Sequence, residues 1–128
     1  MEAKMMRIFA MLMLFGLCRR GNAEFRECIL SDLNVTQTAT GKNDGGNPEY
    51  AVEVENKCIC TQTDVKLLAP EFKSSEPVDP NVFRPDTDGK LGTPNNGSPV
   101  YYGDKINFNY ASATKFSLVP FSSSVACS

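Results

Sequence analysis

Four cysteines carry the most definite chemistry in this 128-residue sequence: Cys28, Cys58, Cys60 and Cys127. A fifth, Cys18, closes an apolar run of eleven residues, Ile8 to Cys18, that follows Lys4 and Arg7 and precedes Gly21-Asn22-Ala23. A basic start, a short apolar run and small residues at the cut site describe a secretory signal peptide. The run is well short of the roughly 20 residues that a membrane-spanning helix needs. Residues 1–23 are therefore expected to be removed, and Cys18 with them. An even set of cysteines in a small exported chain reads as two disulfides, each adding about 2–4 kcal/mol by restricting the unfolded chain. Zinc is the competing chemistry. The sequence has no histidine, and Cys-x-Cys with two remote cysteines lacks the paired knuckles of a structural zinc site.

The missing histidine also removes the usual general base, and with it Ser-His-Asp, Cys-His and most metal-hydrolase designs. With the cysteines bridged, no thiolate nucleophile is left. Asp86-Thr87-Asp88 has the letters of a metal-nucleotide site, but with Gly89 beside it the segment reads as a solvated turn. An EF-type calcium loop would need a downstream glutamate that the sequence does not have. Tyr101-Tyr102 could stack on a sugar, although alternation would put one ring in the core and the other on the surface. No enzyme, cofactor or metal is expected. Two N-glycosylation sequons begin at Asn34 and Asn96, the second weakened by Pro99 directly after it.

Without residues 1–23, the 13 basic residues fall to 9 and the 15 acidic ones to 14, which moves the net charge from −2 to −5. Phosphates would be repelled by such a surface, so neither nucleic acid nor an anionic membrane is expected as a partner.

The elements that must position the cysteines are strands. In the stretch from Asn47 to Leu67, Tyr50, Val52 and Val54 alternate with Glu53 and Glu55 and lead straight into Cys58-Ile59-Cys60, the pattern of a half-buried strand joined to covalent bridges. Ile29 to Thr40 reads as a first strand, and Thr40 to Asn47 as a flexible turn. Thr63 to Leu68 reads as another strand, with Val65 and Leu67 on one side and Pro70 as its stop. Glu71 to Pro99 is a long loop-rich segment anchored by Val78, Val82 and Phe83, with room for a short helical turn near Pro80. Lys105 to Tyr110 has clear period-two alternation, and Phe116 to Phe121 repeats it before a closing tail. Helical periodicity is nowhere sustained. The expected fold is an all-β antiparallel sandwich, disulfide-stabilised and formed by residues 24–128 as one domain.

Cys28, Gly46 to Tyr50, Val52-Glu53-Val54, Asn56 to Cys60, Val65-Lys66-Leu67, Val78-Asp79-Pro80, Tyr110-Ala111-Ser112, Phe116-Ser117-Leu118 and the tail from Pro120 to Cys127 form a pattern that runs through much of this length. In these residues the chain resembles the TAPETUM DETERMINANT 1-like small secreted proteins of plants. The resemblance implies a β-rich protein secreted to the apoplast. It also implies a partner, the ectodomain of a leucine-rich-repeat receptor kinase that sets cell fate in reproductive development. A cell-wall polysaccharide is the alternative partner. Members of the family usually carry six cysteines. Here the fourth is replaced at Ala69 and the fifth is missing between Asp88 and Gly92, as if one bridge had been lost as a unit, leaving the 71–99 loop freer. Of the four that remain, Cys58 and Cys60 stand too close along a strand to bond each other. Cys28 and Cys127 therefore each take one of that pair, in either of two arrangements.

Overall fold

The computed structural model describes residues 28–127, so the signal-peptide reading of residues 1–23 lies outside it. Seven strands form two antiparallel sheets. β1 (Leu33–Asp44), β2 (Asn47–Asn56) and β6 (Lys105–Ala111) make one, in the order β1-β2-β6. β3 (Thr61–Leu68), β4 (Phe83–Pro85), β5 (Leu91–Pro94) and β7 (Val119–Ala126) make the other, in the order β4-β5-β3-β7. The expected sandwich is what forms.

Alternation decides which face each strand buries. Tyr50, Val52 and Val54 of β2 stand opposite Tyr110, Phe108 and Ile106 of β6, and Val54 also faces Val35 of β1. Their side chains meet Val65 and Leu67 of β3 and Phe83 of β4 across the sandwich, forming one core cluster with Leu33, Phe72, Val100 and Leu118. Each such aliphatic or aromatic side chain taken out of water contributes roughly 1.5–3 kcal/mol. Phe72 is the centre of the aromatic packing, with ring centroids 5.1 Å from Phe83, 5.2 Å from Tyr110 and 5.1 Å from Phe116. Phe83 stacks on Phe108 at 4.5 Å with the rings 2° from parallel. Gly92 is what admits the Phe83 ring, because a Cβ there would collide with it.

Several boundaries differ from the expectations. β1 runs on through the turn-forming residues to Asp44, absorbing an irregularity between Ala39 and Asn43, and the reversal is confined to Gly45-Gly46. Both glycines have positive φ (56° and 88°), the requirement of the two-residue hairpin turn that suits strand twist. The long segment is not irregular throughout, since β4 and β5 pair inside it as a hairpin. Near Pro80 there is a single turn closed by the Val82 and Phe83 amides on the Asp79 carbonyl. The last strand starts later than its apolar letters suggested. Phe116 and Leu118 pack as the chain approaches, and β7 includes the serine-rich tail.

Candidate functional site

The two disulfides meet at one end of the sandwich. Cys28 is bonded to Cys58, with Cα atoms 5.6 Å apart, and Cys60 to Cys127, at 4.8 Å. Between the two arrangements left open by the sequence, this is the one adopted. The segment from Lys57 to Cys60 is a turn between β2 and β3 and not a strand, which is why neighbouring cysteines can point to separate partners. The sulfurs of Cys28, Cys60 and Cys127 lie within 4.8 Å of one another. Bonded as they are, they offer no thiolate to a metal.

Asn56, fully buried, organises the turns of this end. Its Nδ2 donates to the carbonyls of Cys60 and Val100, each at 2.9 Å. Its Oδ1 accepts from the Cys58 amide at 2.9 Å and from Gln62 Nε2 at 3.0 Å. The Asn56 carbonyl accepts from the Gly103 amide at 2.8 Å, and its amide donates to the Asp104 carbonyl. The turn before β1 joins in, because the Asp32 carbonyl accepts from the Lys57 amide at 2.8 Å while its carboxylate accepts from the Ile29 amide. Three turns are thus held together: Cys28 to Asp32, Lys57 to Cys60 and Val100 to Asp104.

Apolar side chains project from each of them. Ile59 is 76% exposed, Tyr102 65%, Tyr101 58% and Ile29 56%, and Leu30 lies among them. Exposed apolar groups on a preorganised backbone are what a protein partner can bury at low entropic cost. The tyrosine pair departs from the alternation rule. The strand-like pairing ends at Val100, and both rings leave a turn toward solvent.

The long segment supplies the clefts. One of about 450 Å³ is lined by Phe72, Pro77, Val78, Pro80 and Phe83, with Lys73 and Arg84 at its rim. A second, of about 320 Å³, lies between Pro77 to Val82 and Phe108. Both are open and shallow, without converging catalytic groups. Asp86 is occupied structurally: Lys66 Nζ donates to it at 2.9 Å and the Thr93 hydroxyl at 2.7 Å. Burial alone would raise its pKa, but these hydrogen bonds and the charges of Lys66 and Arg84 hold it below its ordinary value. Asp88 accepts from the Lys90 and Leu91 amides, so the Asp-Thr-Asp letters close a turn. At the edge of these clefts the Glu76 carboxyl is raised, first by burial and then by its hydrogen bond to Glu49. Glu49 is lowered by its hydrogen bonds to Thr40 and Glu76.

The sequence matches the family described as tapetum determinant 1, C-terminal, over residues 29–128, which spans both sheets and three of the four bridged cysteines, Cys58, Cys60 and Cys127. The chain belongs to the tapetum determinant 1 family. No curated protein and no solved structure matches it. Ala69 is buried and its amide donates to the Lys90 carbonyl, so the two places at which the resemblance leads one to expect cysteines are neighbours in space.

Asn34 lies on β1 beside Glu55, on the face that alternates away from Leu33 and Val35. Asn96 is exposed at positive φ (57°), with its Oδ1 accepting from Arg84 Nη1. Asn56 and Gln62, whose side-chain amides fasten the end, carry no structural role among the sequence-based expectations. The signal was present: Asn56 continues the inward series of Tyr50, Val52 and Val54, and a polar residue at a core position must find partners.

Proposed function

We propose that the chain is an exported, non-catalytic signalling protein recognised by the ectodomain of a leucine-rich-repeat receptor kinase, with the disulfide end as its contact surface. Membership of the tapetum determinant 1 family over residues 29–128 carries the reading. The exposed Ile29, Ile59, Tyr101 and Tyr102 on turns fixed by two bridges and Asn56 support the choice of surface. Aromatic side chains on a rigid support are the residues on which binding energy concentrates. Export through the secretory route accounts for the bridges, and it makes Asn34 the better placed of two glycan acceptors and Asn96 the weaker.

A second reading, binding of cell-wall polysaccharide, is favoured by one observation, the joint exposure of Tyr101 and Tyr102. The two are separated by a pull-down of the secreted protein against receptor-kinase ectodomains and against wall polysaccharides. Capture by an ectodomain is the expected outcome, and capture by polysaccharide alone would overturn it. A mobility shift on glycosidase treatment, lost in Asn34→Gln, tests export; secreted protein whose mobility glycosidase leaves unchanged would contradict glycosylation at Asn34.

A further inference from the structure

We infer that the disulfide end is a site of thiol–disulfide exchange in which a dithiol opens Cys60–Cys127 and the freed Cys60 then displaces Cys58 from Cys28. Two observations carry this. Cys28 Sγ lies within 4.8 Å of Cys60 Sγ although the two are not bonded. The bridges differ in access, since Cys127 is exposed whereas Cys58 is only 5% exposed, with Cys28 and Cys60 half-buried alike.

Access decides the first step. Exchange needs a thiolate to reach a sulfur, so the exposed bridge reacts first. The dithiol is oxidised to its own disulfide, and two electrons and two protons pass to the protein, leaving Cys60 and Cys127 as thiols. In the second step Cys60 loses its proton to solvent and its thiolate attacks Cys28 Sγ. The Cys60–Cys28 bond forms, the Cys28–Cys58 bond breaks, and the electron pair leaves on Cys58, which takes up a proton. This step is redox-neutral. The N-terminal side of the fold stays fastened throughout, while the end of β7 is released. The product holds one bridge of the second arrangement allowed by the sequence, Cys28 with Cys60, and leaves Cys58 and Cys127 as thiols.

Cys127→Ser isolates the second step, because it leaves Cys60 as a thiol beside an intact Cys28–Cys58 bridge without any reductant. The purified variant is alkylated under acid quench, and fragment ions locate the label on Cys58 or on Cys60. The expected result is a mixture in which Cys28–Cys60 is a measurable fraction and Cys58 carries label. Label on Cys60 alone overturns the exchange. If the variant fails to fold, the full chain is reduced in steps with dithiothreitol and quenched. The one-bridge population is then expected to contain Cys28–Cys60. A one-bridge population holding Cys28–Cys58 only, or Cys60–Cys127 only, overturns the proposal.

Discussion

The amide of Ala69 donates to the carbonyl of Lys90 at 2.8 Å, and one step along the same ladder Leu68 faces Leu91. The resemblance drawn from the sequence would place a third bridge at this contact. The end of β3 and the start of β5 stay together through backbone pairing, with the Glu71 amide on the Gly89 carbonyl closing the next rung. The double variant Ala69→Cys/Lys90→Cys is therefore expected to form a disulfide on export and to raise unfolding stability by about 3 kcal/mol, the magnitude for a loop of this size. Denaturant unfolding with and without reductant measures the gain. An unbridged pair of thiols in the folded variant would show that the two positions do not have bridging geometry.

Asn56 is expected to be the most sensitive polar residue in the chain. Asn56→Ala removes four side-chain hydrogen bonds and takes the partner from the Cys60 carbonyl, the Cys58 amide and Gln62 Nε2, while the Val100 carbonyl keeps the Gln62 amide. Leaving buried groups unsatisfied costs about 1–3 kcal/mol each, so a loss of at least about 3 kcal/mol is expected in chemical unfolding. A loss below about 1 kcal/mol would mean that water replaces the side chain and that the end is not organised by it.

Gly92→Val should disrupt the aromatic core without touching a charge. Its side chain would enter the space of the Phe83 ring, which is stacked on Phe108 and cannot withdraw. Overpacking costs typically about 1–3 kcal/mol. The expected signature is a lower melting temperature together with altered near-ultraviolet circular dichroism from the phenylalanine and tyrosine cluster. Unchanged melting would contradict the close packing.

Acid sensitivity should trace to Asp86. Its pKa is lower in the folded chain than in the unfolded one, so it adds stability above the unfolded carboxylate range and loses it as pH falls through the folded value. Asp86→Asn is expected to cost about 1 kcal/mol near neutrality, given one ionic and one neutral hydrogen bond at a partly exposed site, and to flatten the acid limb of stability against pH. An unaltered acid limb would assign that limb to other carboxylates. The Glu49 and Glu76 pair has the opposite dependence at Glu76, whose raised value favours the folded state at low pH and loses that contribution as pH rises through it.

Much of the fold was legible because it rests on period-two burial. Tyr50, Val52, Val54, Ile106, Phe108 and Tyr110 announce two core strands in their letters, and the structure pairs those strands side by side. What was not legible depends on tertiary partners. β4 and β5 are too short to show alternation, and they exist because Phe83 and Pro94 bury inward and because Thr93, buried as well, donates its hydroxyl to Asp86. β7 carries a serine run with little apolar signal, and it is held by β3 along its length and by the Cys60–Cys127 bridge at its end. Phe72 stands alone among polar residues in the sequence, so nothing local marks it as the centre of the aromatic cluster. At the candidate site the cysteines were legible as bridges, while the apolar surface was not. Its members come from three turns far apart in sequence, and Tyr101 and Tyr102 were expected to divide between core and solvent.

The proposed reading of the disulfide end by a receptor-kinase ectodomain is tested by titrating secreted protein onto immobilised leucine-rich-repeat receptor-kinase ectodomains, with wild type beside Ile59→Asp and Tyr102→Asp. Both substitutions lie on exposed side chains and should leave folding intact. The predicted result is saturable binding of wild type to an ectodomain, weakened at least tenfold by either substitution, a loss of about 1.4 kcal/mol. Wild-type binding that both variants retain unchanged would contradict the surface, and binding to wall polysaccharide with no ectodomain engaged would contradict the function.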